Sequence, residues 1–152
     1  MDVQLDLSGF EGLLAKLGAL EEAGQQIDEV LHQSAIQIQR SAKQNIRAKD
    51  IFDTGELFRS ITVEKIPKGY AIGTNLEHGV YNEYGTGPKG DPSVPHTQRR
   101  FWRYQDRKGR WHTTSGMKAR PFLRPAFAEN KEYVIKLARN KIEAIIRRKY
   151  TG

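Results

Sequence analysis

Apolar residues recur every three or four positions from Ile27 through Leu31, Ala35, Ile38 and Ala42 to Ile46, with Val30 widening the stripe. Asp28, Glu29, Gln37, Arg40 and Lys43 fall outside it. A stripe of that period predicts a long one-faced helix, and its small Ala positions favour packing on a sheet over a coiled-coil seam. Upstream, Ser8-Gly9-Phe10-Glu11 has the spacing of a capping box ahead of Leu13, Leu14 and Leu17, which predicts an earlier helix start. Gly18 and Gly24 predict a break or bend before the main stripe begins.

The pattern then changes period. Ile61-Thr62-Val63-Glu64-Lys65-Ile66 and Tyr70-Ala71-Ile72-Gly73-Thr74 are strand-like runs, and Pro67-Lys68-Gly69 between them predicts a hairpin. Leu76 to Tyr84 reads as a short helix or turn that Gly85 stops. Tyr81 and Tyr84 share a face with Glu83 beside them, and buried, hydrogen-bonded tyrosines are expected there rather than a catalytic pair. Gly85, Gly87, Pro88, Gly90, Pro92 and Pro95 open a long excursion, with residues 87–118 as an arm. Inside it Phe101-Trp102-Arg103-Tyr104-Gln105 and Arg110-Trp111-His112-Thr113-Thr114 flank Asp106-Arg107-Lys108-Gly109, a second hairpin.

In Ala119-Arg120-Pro121-Phe122-Leu123-Arg124-Pro125-Ala126-Phe127, Pro121 favours extended backbone at Arg120, and Pro125 suits the first turn of a helix. Phe122 and Leu123 between them form an apolar anchor for a last helix, whose stripe is Phe127, Val134, Ala138, Ile142 and Ile146. Arg147-Arg148-Lys149 at its end complements the helix dipole without needing a ligand. Together these elements predict one α+β domain over residues 1–152. A long N-terminal helix and a C-terminal helix pack on a small, mainly antiparallel sheet made from the two hairpins, with the aromatic hairpin protruding.

A chain of 152 residues is large enough to bury roughly 68–70% of its unfolded surface. It has no cysteine, which excludes a thiol nucleophile, a thiolate zinc site and a disulfide framework. No apolar run approaches membrane-spanning length, so a soluble intracellular product without a membrane partner is expected. The net charge of +7 is polarised: residues 98–152 hold 16 Lys and Arg against 4 Asp and Glu, leaving 9 against 14 in residues 1–97. That imbalance fits either a nucleic-acid footprint on the basic part or head-to-tail association in which the basic part of one copy meets the acidic part of the next.

Candidate chemistry is sparse. Asp53-Thr54-Gly55 has the letters of an aspartic protease, but it occurs once and no apolar strand leads into it. A turn in which Asp53 or Thr54 caps a short helix and Gly55 takes a permissive angle is expected instead. His96 and His112 are far apart and poorly supported by carboxylates, so no metal site is expected. No catalytic residue and no cofactor is assigned. Phe101, Trp102, Arg103, Tyr104, Arg110 and Trp111 could stack on single-stranded nucleic acid or pack against a neighbouring subunit.

Three stretches taken in order carry a resemblance: Asp53-Thr54-Gly55 running to Ser60-Ile61, then Tyr81-Asn82-Glu83-Tyr84-Gly85-Thr86, then Ala119-Arg120-Pro121-Phe122-Leu123-Arg124-Pro125-Ala126. With the aromatic hairpin between the second and third, they resemble the minor tail, tail-completion and head-tail joining proteins of long-tailed bacteriophages and prophages. One departure is that Phe58, not Arg, follows Leu57, and Arg59 comes one position later. The resemblance implies a structural, non-enzymatic virion protein that completes the tail tube and joins it to the head connector. It implies a ring of copies, hexameric in that family, with tail-tube and connector or stopper proteins as partners and DNA passing through without sequence-specific binding. It places the protein in the virion tail or neck, and in the host cytoplasm during assembly. The competing class is a basic nucleic-acid-binding module.

Overall fold

The computed structural model describes residues 2–4 and 21–150. The capping box at Ser8 and the region around Gly18 lie outside the described residues. Helix α1 (Glu21–Ala48) runs through Gly24 without a break, and its apolar stripe is the floor of the core, with Ala35, Ile38, Ala42 and Ile46 essentially inaccessible. One glycine at about 1 kcal/mol relative to alanine does not stop a helix whose later turns are packed on both neighbours.

A three-stranded antiparallel sheet lies against α1. Strands β1 (Asp2–Gln4), β2 (Thr62–Ile66) and β3 (Gly69–Gly73) are ordered β1-β3-β2. Thr62 pairs with Gly73 and Ile66 with Gly69, so the predicted hairpin turns at Pro67-Lys68. The central strand β3 is buried along its whole length, whereas β2 is exposed or half-buried throughout. The Gln39 amide donates to the Ile61 carbonyl at 2.6 Å, tying α1 to the entry of β2.

Helix α2 (Glu56–Ser60) is a short turn before β2, and α3 (Glu77–Tyr84) follows β3. The excursion carries a single 3-10 turn, Gly87–Lys89, and then β4 (Trp102–Gln105) paired with β5 (Trp111–Thr114). The two hairpins therefore occupy separate sheets, not the single sheet expected from the sequence. Strands β4 and β5 pair only with each other, at the far end of an excursion whose two ends meet at one place.

The last helix, α4 (Leu123–Tyr150), lies along α1. Its first turns put Phe122, Leu123 and Ala126 into the same apolar cluster as Ile72, Ile61 and Ile46. Farther along, the buried Asn130 amide donates to Ser41 Oγ at 2.8 Å and to the Ala126 carbonyl at 2.7 Å. That polar contact fixes the register of the two helices, because a slip of one turn would lose Ser41 and leave the buried amide only its Ala126 partner.

Candidate functional site

The excursion leaves and rejoins the body at one place. Helix α3 ends with the Gly85 N–H on the Tyr81 carbonyl at 2.8 Å. Thr86 and Met117 then pair across the neck of the excursion, N–H to carbonyl, at 2.9 and 3.2 Å. Glycine is required on both sides of this neck. Gly85 has φ +72° and a Cβ there would lie 2.6 Å from the Met117 carbonyl oxygen; Gly116 has φ +87° and its Cβ would lie 2.2 Å from that of Thr86.

Beside the neck, the last turn of α3 presents Glu83, whose side chain is 0% exposed. Its Oε2 accepts the backbone N–H groups of Phe122 (2.8 Å) and Leu123 (2.9 Å), and its Oε1 accepts the Arg124 N–H (2.9 Å) and the Arg124 Nε (3.0 Å). A carboxylate here does two things at once: it satisfies three orphan donors at the start of α4 and places negative charge at the positive end of that helix. Arg124 completes the clasp. Its Nη2 donates to the Glu83 carbonyl at 2.9 Å, its Nη1 to Asp91 Oδ2 at 2.7 Å, and its guanidinium lies 4.5 Å from the Tyr84 ring centroid. Burial alone would lower the Arg124 pKa, but the hydrogen bonds to Asp91 and Glu83 outweigh it and raise it. Asp91 is held far below the usual carboxylate range, first by the Ser93 backbone N–H, then by the Ser93 side chain and Arg124.

Neighbouring contacts reinforce the same junction. Asn82 receives the Arg120 N–H on its carbonyl at 2.7 Å and the Arg120 guanidinium on its side chain at 3.0 Å. From α1, Asn45 donates to the Phe122 carbonyl at 3.1 Å and Lys49 to that of Pro121. Pro121 and Pro125 bracket the fully buried Phe122 and Leu123. Sequence reasoning passed over Glu83 because its partners lie about forty residues away, at Phe122 to Arg124; a local pattern carries no sign of them. It also expected buried tyrosines here, yet Tyr81 is exposed and its hydroxyl donates to Glu77 Oε1 on the same helix.

The second hairpin projects from this junction with a different character. Its base is seated by Trp102, whose ring closes on Gly87. Phe101 and Trp111 are 62% and 60% exposed, Tyr104 is 48% exposed, and the Arg103 guanidinium lies 5.2 Å from the Trp111 ring centroid. Asp106 closes the turn. It accepts the Lys108 and Arg110 N–H groups (2.8 and 2.9 Å) and the Arg110 Nε (2.9 Å), and lies 2.8 Å from His112 Nε2. The hydrogen bond from His112, followed by the Arg110 N–H, pulls the Asp106 pKa down to about 2. His112 thus has the carboxylate neighbour that sequence spacing did not suggest. Among the described residues no group of three acidic or imidazole side chains could hold a metal ion.

At its tip the hairpin touches the body again. Arg107 makes a forked contact with Glu56 at the start of α2, at 2.9 and 3.3 Å, and that hydrogen bond is the main reason the Glu56 pKa is lowered. An open cleft of about 820 Å³ remains between hairpin and α3. Asp53, Thr54 and Gly55 form the turn just before Glu56: Thr54 Oγ1 accepts the Glu56 N–H at 3.3 Å, Gly55 has φ +76°, and Asp53 is exposed.

The fold and its one elaborate polar junction define a small α+β building block that holds a long helix and an aromatic hairpin in fixed relation. Over residues 11–85 the chain matches the family described as "Bacteriophage HK97-gp10, putative tail-component". The match bears out the resemblance over the first sequence landmark and, up to Gly85, the second; Thr86 and the third landmark, with Phe122 to Pro125, lie beyond it. No curated protein and no solved structure matches the chain. Among the described residues no helix is long and apolar enough to cross a membrane.

Proposed function

We propose that the protein completes the phage tail tube and joins it to the head connector, as one subunit of a ring made in the host cytoplasm. The observation that carries this reading is the second hairpin: Phe101, Tyr104 and Trp111 stand in solvent beside Arg103 and Arg110, on strands fastened to the body at their base. Aromatic and arginine side chains dominate the energetics of protein interfaces. Phe101, Trp102, Arg103, Tyr104, Arg110 and Trp111 are therefore assigned to contact with the next subunit or the tube, and Phe122, Leu123, Pro121 and Pro125 to anchoring α4. Asp53, Thr54 and Gly55 serve as a structural turn. The role asks for no active site, and DNA passes the ring without base readout.

Removal of residues 99–114 should leave a folded monomer, with helical circular dichroism retained, that no longer assembles in analytical ultracentrifugation or restores head-tail joining in infected cells. Rings formed by the deletion variant would remove the hairpin from the interface. A salt-sensitive DNA complex in gel shifts, with no self-assembly, would favour the nucleic-acid reading instead.

A further inference from the structure

The loop before α2 forms one wall of a second cleft, of about 670 Å³, lined among others by Asp50, Phe52, Asp53, Glu56 and Phe58. Phe52 is 44% exposed, and Asp50 and Asp53 are exposed with no ion pair among the described residues. Arg107 of the hairpin tip reaches the mouth of this cleft and engages just one of its three carboxylates. We propose that the cleft receives the hairpin tip of a second copy of the chain, Arg107 and Lys108 of one subunit exchanging the contact with Glu56 for the carboxylates of the next.

Three observations support the exchange. First, the internal contact is weakly held: Arg107 is 74% and Glu56 39% exposed in the side chain, and exposed ion pairs contribute little to stability. Replacing it with the same contact from a neighbour therefore loses almost nothing, which is the condition under which identical elements swap between protomers. Second, the docking site is chemically matched. Arg107 and Lys108 bring two positive charges to two carboxylates that are without ion-pair partners, and the aromatic wall of Phe52 offers a face to the exposed side chains of the hairpin. Third, the donor groups of the tip and the acceptor groups of the cleft are different residues of one chain, adjacent in the fold. A copy that receives a neighbour's tip therefore frees its own for the next, and the exchange passes head-to-tail to a closed ring where its rotation allows. The proposal rests on the assembly reading above and specifies which two surfaces meet.

The absence of cysteine makes the test direct. Full-length Gln105→Cys chains, which keep Arg107, are mixed with Thr54→Cys chains, which keep Asp53, one of the two carrying a tag of different mass, and a short bismaleimide is added while sedimentation records the oligomer. Every mixed crosslink then joins two subunits. The expected result is abundant mixed crosslinking in the oligomer, well above a control pairing Gln105→Cys with Lys136→Cys on α4. Asp53→Lys without any cysteine should weaken self-association about tenfold, while Lys136→Glu should not. Oligomers whose mixed crosslinking is no greater than the control would overturn the exchange and leave the assembly reading standing. A sample that stays monomeric at every concentration, with and without tail-tube and connector proteins, would overturn both.

Discussion

Two arginine–carboxylate contacts hold the ends of the long excursion, and they differ in almost every respect that matters to energy. At the base, Glu83 is inaccessible and each of its oxygens is used twice, by Arg124 and by the first backbone N–H groups of α4. At the tip, Arg107 forks onto both oxygens of Glu56 at 2.9 and 3.3 Å, with both side chains open to solvent. The distances are alike, yet the consequences are opposite. In the base the carboxylate replaces water for donors that have no other partner, so its removal strands them; at the tip water stands ready to take either side. Geometry alone would have ranked the two together, and burial separates them. The base is thus a structural clasp and the tip a contact that can be made or released.

The widest separation between the two should come from truncating each acid. Glu83→Ala is expected to cost about 3–5 kcal/mol in chemical denaturation, with Glu83→Gln in between because an amide keeps one acceptor; a loss under about 1 kcal/mol would erase the distinction. A smaller effect is expected at the neck that joins them. Gly116→Ala forces a Cβ onto the Thr86 carbonyl in left-handed backbone and should destabilise by about 1–3 kcal/mol, read as a lower midpoint; an unchanged midpoint would mean the neck can open freely.

Acid should act on the hairpin next. The folded pKa of Asp106 is depressed to about 2, below the unfolded value of about 3.9, so its contribution is fully present above pH 4 and is lost as pH falls towards 2. The two tryptophans of the chain both lie in the hairpin, so their emission should report a transition in that window that Asp106→Asn lacks. The least effect is expected from Glu56→Gln, which should leave the denaturation midpoint where it is while speeding amide exchange at the hairpin turn. A shifted midpoint would make the tip a stabilising clasp like the base.

Much of this molecule can be read along the chain because its causes are local. The period of Ile27 to Ile46 sets a helix with one buried face, Pro67-Lys68 sets a turn between two β-rich runs, and Gly85 stops a short helix by adopting a backbone angle other residues avoid. The aromatic hairpin is legible for the same reason, as is the handover from extended chain to helix at Pro121 and Pro125. The family match covers residues 11–85 and so takes in the first landmark and all of the second but Thr86.

Tertiary structure decided what depends on which distant groups meet. Glu83 sits beside two tyrosines in sequence and looks incidental; in space it is the acceptor for three successive N–H groups about forty residues away. Tyr81, which a local rule would bury, faces solvent because Glu83 and Asn82 take the inner side of their short helix. The two hairpins part into separate sheets, one packed against α1 and the other carried on the excursion. Periodicity and turn chemistry act within a few residues and are written in order along the chain, whereas desolvation and the pairing of buried polar groups depend on the whole packed arrangement. That is why the elements could be named from the sequence, and why the clasp that holds them became visible only in the fold.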